Sequence, residues 1–246
     1  PGVAGPVVTV VMDGIGQRSA TAGNAVRDAH TPTLDRLFAR YPHTLLKAHG
    51  TAVGMPSDED MGNSEVGHNA LGSGQVYAQG AALVNDAIAG GSLFAGAAWG
   101  EIVANVLASG GTLHFLGLFS DGNVHSHIEH LKALITAARG AGVRRVRIHA
   151  LLDGRDVSAT SALDYVLPFE QFLARLRSES FDARIASGGG RMYITMDRYE
   201  ADWDMVARGW ATHVLGEGRC FASAAEAIET LRSEKPGIGD QDLPAF

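Results

Sequence analysis

The chain has 246 residues, of which 46% are hydrophobic and 19% charged, and its formal net charge is −7 at pH 7. This composition excludes a disordered chain, because it supplies enough apolar side chains for a core that buries roughly three quarters of the unfolded surface. The negative charge argues against nonspecific binding to nucleic acid or to an anionic membrane, and no apolar run approaches the roughly 20 residues of a membrane span. The single cysteine, Cys220, excludes an intramolecular disulfide and a cysteine-rich metal site. We therefore expect a folded cytoplasmic protein that binds neither nucleic acid nor membranes.

The N-terminal part of the chain predicts a strand, a helix and a long loop. Residues 6–12 (PVVTVVM) are rich in β-branched side chains and lack charge, which predicts a buried parallel strand that ends at Asp13. Thr31 before Pro32 predicts the start of a helix with an apolar face. Residues 50–76 contain six glycines and show no sustained period, which indicates a functional loop leading into a helix.

Helical and strand patterns alternate regularly further along the chain. Apolar periodicity predicts strands over 112–119, 143–150 and 182–187, and helices over 83–88, 99–107, 131–138, 163–176, 203–210 and 224–231. Strands that alternate with helices imply a mostly parallel sheet with helices on both faces, so we expect an α/β fold with three layers, αβα. A weakly marked domain boundary falls near residues 76–80.

A polar cluster flanked by glycine follows each predicted strand. The clusters are Asp13-Gly14, residues 120–125 (SDGNVH), residues 153–156 (DGRD) and residues 188–191 (GGGR). Because the carboxyl ends of parallel strands meet at one edge of a sheet, four such clusters would line one crevice. The alternative is that aspartate and glycine here only form turns and caps.

Three arginines in these clusters suggest a small anionic substrate, because a guanidinium group binds carboxylate or phosphate through two hydrogen bonds. They are Arg155, Arg191 and Arg198. The alternative is that they only form ion pairs with the nearby Asp153, Asp156 and Asp197.

Ser64 is a candidate nucleophile at the start of a predicted helix, where unpaired N–H groups and the helix dipole stabilise an alkoxide or a phosphate. The alternative is an ordinary N-cap. Asp13 supplies a hard oxygen ligand for a divalent cation that could activate the serine. His125 follows Asp121 by four residues, but Gly122 indicates a turn, so we interpret His125 as an acid–base group or phosphate contact rather than a metal ligand.

The remaining histidines show no pattern of partners. They include His49, His114, His149 and His213, and we expect them to be polar caps or satisfied core residues.

Five segments together resemble the cofactor-independent phosphoglycerate mutases. They are MDGIG (12–16), MGNSEVGHNALG (61–72), SDGNVHSH (120–127), LLDGRDV (151–157) and IASGGGRMYITMDRYEADW (185–203). Their form is nearest to the plant and trypanosomatid-like subgroup. The resemblance implies part of an alkaline-phosphatase-like metal-binding domain over residues 1–77, followed by most of an inserted transferase domain over residues 78–246.

The resemblance also implies a reaction. The family interconverts 3-phosphoglycerate and 2-phosphoglycerate through a phosphoserine, using two divalent ions, manganese most often and otherwise magnesium or cobalt, without 2,3-bisphosphoglycerate. It implies that Ser64 is the nucleophile and, with Asp13, a metal ligand, and that Asp156 handles the proton of the glycerate hydroxyl. The implied substrate-binding residues are His125, Arg155, Asp156, Arg191 and Arg198.

Members of this family are about twice as long as this chain, and their second half supplies the other metal ligands. We therefore predict an N-terminal portion of a mutase that is monomeric when complete and inactive in isolation. Two alternatives remain open: another phosphomutase or phosphate-ester hydrolase of the same superfamily, or a noncatalytic module that binds phosphoglycerate or a complementary chain.

Overall fold

The computed structural model describes residues 2, 4–12, 15–197 and 199–246. It divides into two compact units, Pro1–Leu46 and Lys47–Phe246, whereas the domain boundary after residue 77 stays a prediction. None of the helices in these described ranges is long and apolar enough to cross a membrane.

The first unit contains two helices, α1 (Ala25–Asp28) and α2 (Pro32–Arg40). Helix α2 begins at the Thr31-Pro32 signal, as predicted. The predicted buried strand over 6–12 is wrong for this structure, because these residues form no strand and their side chains are exposed, with Val7 at 78% and Val8 at 79%. A strand needs a neighbour to pair with, and the described part of this unit contains none.

The second unit opens with a 3₁₀ turn (Gly50–Val53) and four helices: α3 (Ser64–Ser73), α4 (Ala81–Ala89), α5 (Ser92–Ala95) and α6 (Ala97–Ser109). Val53, Met55 and Val66 form a small apolar cluster that packs the 3₁₀ turn against α3. Residues 50–76 thus contain α3 itself, and the segment before it packs against the helix through Val53 and Met55.

Three parallel strands, β1 (Leu113–Phe119), β2 (Arg145–Leu152) and β3 (Asp182–Gly190), form a sheet in the order β1-β2-β3. The connecting helices are α7 (Ile128–Gly140) and α8 (Ala162–Leu176), and they pack on one face with α10 (Ala224–Glu234). Phe169, Ile135 and Ile228 are fully buried there. The α/β class, the parallel sheet and its alternation with helices are thus confirmed.

The other face of the sheet carries a smaller apolar cluster of Leu118, Leu151 and Ile194. Helix α9 (Trp203–Trp210) continues into one turn of π-helix (Ala211–Leu215), which contacts β3. Helix α9 begins and ends at the predicted residues.

The C-terminal tail after α10 contains a 3₁₀ turn (Asp240–Asp242) and then runs beside β3. The N–H of Gly188 donates to the carbonyl of Phe246, and the N–H of Gly190 donates to the carbonyl of Leu243. A Cβ on Gly190 would meet the backbone of the tail, with Asp240 O at 2.6 Å. The glycines over 188–190 therefore belong to β3 itself, and they admit the tail.

Candidate active site

Three of the four predicted strand-end clusters lie together in the second unit. They follow β1, β2 and β3 at the carboxyl edge of the sheet, because all three strands run in the same direction. Asp13 and Arg198, which the sequence assigns to the site, lie outside the described residues.

Arg191 follows β3 directly and is buried, with 4% of its surface exposed. Its Nη1 donates to Asp156 Oδ2 at 2.6 Å and to Asp153 Oδ1 at 3.0 Å. The ion-pair alternative is therefore correct for the contacts of Arg191. The pairing also holds the guanidinium in one place, so that it is oriented in advance for a ligand.

Asp153 organises the loop after β2, as the turn-and-cap alternative for these clusters predicts. Its Oδ1 also accepts the backbone N–H groups of Arg155, at 3.1 Å, and Asp156, at 3.0 Å. Burial alone would raise the pKa of Asp153, but these hydrogen bonds, the Arg191 guanidinium and the neighbouring Ser120 hydroxyl outweigh burial and lower the pKa below its ordinary value. An aspartate and glycine directly after a buried strand are the signal for such an aspartate turn.

His125 joins the same cluster from the loop after β1. Its Nε2 lies 3.8 Å from Asp156 Oδ2, and its side chain is about half exposed. Residues 121–125 form a bend rather than a helix, so the spacing of Asp121 and His125 is not helical, as expected. Asp121 instead accepts a hydrogen bond from the Tyr165 hydroxyl at 2.7 Å. Burial and this hydrogen bond raise the pKa of Tyr165 to about 12.

Arg155 differs from Arg191 in being exposed. Within the described ranges its guanidinium makes no hydrogen bond or ion pair, and only its backbone N–H is engaged, with Asp153. The ion-pair alternative therefore does not account for Arg155, whose charge is available to an anion.

Ser64 is the first residue of α3, and Asn63 is the N-cap, since the Asn63 side chain accepts the N–H of Val66 at 3.0 Å. The N-cap alternative for Ser64 is thus wrong. Ser64 Oγ lies 3.2 Å from His68 Nδ1, and the same nitrogen lies 2.7 Å from the Ser64 carbonyl. A carbonyl can only accept, so Nδ1 carries the proton and His68 does not act as the base for Ser64 through this atom.

Two hydrogen bonds tie the start of α3 to the loop after β1. Asn63 Nδ2 donates to the Val124 carbonyl at 3.2 Å, and Asn123 Nδ2 donates to Asp60 Oδ1 at 2.6 Å. Asn123 has a φ of 58°, a left-handed conformation that asparagine tolerates better than most residues. Ser64 is therefore linked to the strand ends through its neighbours, and within the described residues its hydroxyl contacts His68 rather than the Arg191 cluster.

Gln79 connects α3 to the 3₁₀ turn, a role that no motif in the sequence predicts. It is 4% exposed, and its Nε2 donates to the carbonyls of Val53 at 2.8 Å and Val66 at 3.1 Å. Its Oε1 accepts from Asn69 Nδ2 at 3.2 Å. One buried amide thus joins the 3₁₀ turn to two turns of α3.

A cleft of about 520 Å³ lies beside the cluster and is lined in part by Asp60, Asn123, His127 and Asp156. Burial would raise the pKa of Asp60, but hydrogen bonds from Asn123 and Ser57 lower it. Among the described residues, the buried side-chain atoms without a hydrogen-bond partner are Asn123 Oδ1, Asp153 Oδ2 and Arg191 Nε, and all three belong to this site. Such atoms cost free energy unless a ligand or a rearrangement satisfies them.

The donor set for a metal ion is incomplete here. Within the described part of the chain, no group of three or more histidine, cysteine, aspartate or glutamate side chains could hold a metal ion. The residues that the structure describes therefore do not fit a divalent-cation centre by themselves.

Comparison with known proteins identifies the family. The family model described as "BPG-independent PGAM N-terminus (iPGM_N)" matches residues 84–246. A probable 2,3-bisphosphoglycerate-independent phosphoglycerate mutase of Leptospira interrogans is 59% identical over 98% of this chain and 44% of the relative. The 2,3-bisphosphoglycerate-independent phosphoglycerate mutase of Zea mays is 50% identical over 98% of this chain and 43% of the relative.

A solved phosphoglycerate mutase of Leishmania mexicana, crystallised at low cobalt concentration, matches with a TM-score of 0.83 and 50% identity, over 90% of this chain and 41% of that one. The chain thus spans less than half the length of the relatives that it matches. A plant and a trypanosomatid relative share about half of the residues, which fits the predicted subgroup. The chain belongs to the family of N-terminal regions of 2,3-bisphosphoglycerate-independent phosphoglycerate mutases.

Proposed function

We propose that the full-length protein carrying this chain interconverts 3-phosphoglycerate and 2-phosphoglycerate in glycolysis and gluconeogenesis, through a phosphoserine at Ser64. The observation that carries the proposal is the cluster of Arg191, Asp153, Asp156 and His125 at the edge of the sheet, tied by Asn63 to the start of α3. The names of the relatives support the choice of substrate.

Each side chain has a role that its environment favours. Arg155, exposed and without an ion pair among the described residues, binds the carboxylate or phosphate of the glycerate. Arg191, fixed by two carboxylates, orients the substrate, and His125 contacts its phosphate. Arg198, outside the described residues, would complete this set of cations.

Asp156 handles the proton of the glycerate hydroxyl. Its Oδ2 is shared between Arg191, at 2.6 Å, and His125, at 3.8 Å. A carboxylate beside a guanidinium and an imidazole can accept a proton from the attacking hydroxyl and return it to the leaving oxygen.

Ser64 lies where the N–H groups and the dipole of the ten-residue helix α3 favour negative charge. Since His68 Nδ1 donates to a carbonyl, activation of the hydroxyl requires another group. We propose that two divalent cations, manganese before magnesium or cobalt, serve this purpose, with Asp13 and Ser64 as ligands of one ion and the other ligands lying outside this chain. For that reason we also propose that the 246 residues alone are inactive.

We further propose that the protein is cytoplasmic, which fits the exposed free thiol of Cys220, and that it works as a monomer without a nucleic-acid or membrane partner.

The test is an enolase-coupled assay of the full-length protein with manganese and without bisphosphoglycerate. We expect activity in the wild type and none in Ser64→Ala, while Ser73→Ala, at the far end of the same helix, stays active. Radiolabelled phosphate from the substrate should remain on the wild-type protein after denaturation and be absent from Ser64→Ala. Full activity of Ser64→Ala would refute the phosphoserine, and release of free phosphate without isomerisation would favour the hydrolase.

A further inference from the structure

The loop after β3, which the structure describes over residues 191–197 and 199–202, has an unusually constrained backbone. Of the four non-glycine residues with positive φ among those described, three lie in this loop: Thr195 at 75°, Tyr199 at 63° and Glu200 at 57°. A left-handed conformation is a genuine outlier for a β-branched residue such as Thr195. It persists only where surrounding contacts determine it. The same loop carries Arg191, so its conformation bears on the anion site.

Residues of helix α9 and the π-turn pack around Thr195 and hold it in place. The Thr195 N–H donates to the Met205 carbonyl at 3.2 Å. A Cβ on Gly209 would overlap Thr195 Oγ1 and lie 3.0 Å from its backbone nitrogen, so glycine is what allows this close approach. From the π-turn, His213 Nε2 contacts Thr195 Oγ1 at 3.2 Å.

His213 belongs to a chain of hydrogen bonds that crosses all three strands. His213 Nδ1 lies 2.7 Å from Ser187 Oγ on β3, and Ser187 Oγ lies 2.6 Å from His149 Nδ1 on β2. His149 Nε2 lies 2.9 Å from His114 Nδ1 on β1, and these two rings are stacked. The expectation that these histidines are isolated caps or core residues missed this arrangement, which no periodicity in the sequence reveals.

The hydrogen-bonded chain can transmit an orientation because its central members, His149 and Ser187, are buried. His149 is 7% exposed and Ser187 5% exposed. Burial lowers the pKa of His149, as do the charges of His213 and His114, and burial also lowers the pKa of His213. A neutral imidazole donates from one nitrogen and accepts at the other. Each link can therefore hold one proton, so the tautomer of His213 that faces Thr195 is coupled through Ser187 to the tautomer of His149.

We propose that His213 and Thr195 are positioning residues that, with Ser187 and His149 behind them, hold the loop 191–202 in the conformation that binds a small phosphorylated carboxylate. The inference rests on the proposed function, because the ligand is the phosphoglycerate assigned to Arg191. None of these four residues touches the reacting atoms; their effect is on substrate affinity.

The experiment compares variants of the full-length protein in steady-state kinetics. Thr195→Val removes the hydroxyl at nearly constant shape. Ser187→Ala interrupts the chain of hydrogen bonds at β3, outside the loop. We expect each to raise KM for phosphoglycerate about threefold to tenfold, the range expected for one lost hydrogen bond, with kcat within about twofold of wild type. Thr195→Ser should restore the wild-type KM. Ser161→Ala is the matched control, because Ser161 is a buried serine outside the histidine chain and its hydroxyl donates to the Ser158 carbonyl at 2.8 Å.

Two glycine substitutions test the packing around Thr195 independently. Gly209→Ala should displace Thr195 and raise KM, whereas Gly100→Ala in α6, where a Cβ meets nothing within 4 Å, should not. An unchanged KM in Thr195→Val, Ser187→Ala and Gly209→Ala would overturn the proposal.

Hydrogen exchange over residues 191–202 separates this inference from the proposed function. We expect faster exchange in Ser187→Ala than in wild type or Ser161→Ala, whether or not the protein is a mutase. If the wild type had no mutase activity, the proposed function would fail. Hydrogen exchange would then still test whether the hydrogen-bond chain holds the loop, since equal rates in Ser187→Ala and wild type would refute that claim.

Discussion

Asp153 is the residue on which the arrangement of the site depends most directly. One oxygen accepts two backbone N–H groups of its own loop and the Arg191 guanidinium, and both side chains are almost fully buried. Without Asp153 the guanidinium of Arg191 would keep Asp156 as its partner, but the backbone N–H groups of Arg155 and Asp156 would lose their acceptor.

Asp153→Ala should therefore lower the free energy of unfolding by about 1–3 kcal/mol for each donor left without an acceptor, measured by urea denaturation. Asp153→Asn should cost less, because the amide oxygen can still accept the two N–H groups while only the charge is lost. The control is Glu234→Gln, which removes a half-exposed pair with Arg219 and should change stability by less than about 1 kcal/mol. Equal effects of Asp153→Ala and Glu234→Gln would contradict this account of Asp153.

Among the elements, β3 ends in a run of glycines that is explained by packing against the C-terminal tail. Its last three residues are glycines, and the C-terminal tail takes the space that their side chains would need. The sequence alone suggested a polar strand-end cluster here, whereas the strand continues to Gly190.

Gly190→Ala should destabilise the protein by about 1–3 kcal/mol or more, because the new methyl group meets the rigid backbone of Asp240 and Gln241. The matched substitution is Gly117→Ala on β1, where a Cβ meets nothing within 4 Å. It should be neutral or stabilise by about 0.4–1 kcal/mol, since alanine restricts the unfolded chain. Urea midpoints compare the two, and a Gly190→Ala protein as stable as Gly117→Ala would rule out the close approach of the tail.

Elements that depend on local patterns were predictable from the sequence. The alternation of helices and strands from residue 81 onwards was confirmed because each element presents its own apolar face to the core. The position of residues 6–12 was not predictable in this way, because burial of a strand depends on partners that the run itself does not encode. The contacts of the site are also nonlocal: Arg191 lies 38 residues from Asp153, and Asn63 lies 61 residues from Val124.

At the scale of the whole molecule, the histidine chain makes stability depend on pH. Burial, with the neighbouring His213 and His114, lowers the pKa of His149 from 6.5 to about 4. Between these two values the unfolded chain binds more protons than the folded protein, so stability rises with pH. The contribution is fully present above about pH 6.5 and is lost progressively as the pH falls to about 4, for a total of about 3 kcal/mol. The pKa of His213 is lowered too, which adds a loss in the same direction.

Urea denaturation at pH 7.5 and pH 5 measures this dependence. Hydrogen bonds hold the pKa of the Asp153 carboxyl group below its ordinary value, so protonation of Asp153 costs stability mainly below about pH 5, outside the two pH values compared. We expect His149→Gln to flatten the pH dependence, because the titrating group is gone while an amide can still hydrogen bond to Ser187. His43→Gln removes an exposed histidine of the first unit and leaves His149 in place, so its slope should match the wild type. If His149→Gln kept the wild-type slope, protonation of the buried imidazole would not be the cause of the pH dependence of stability.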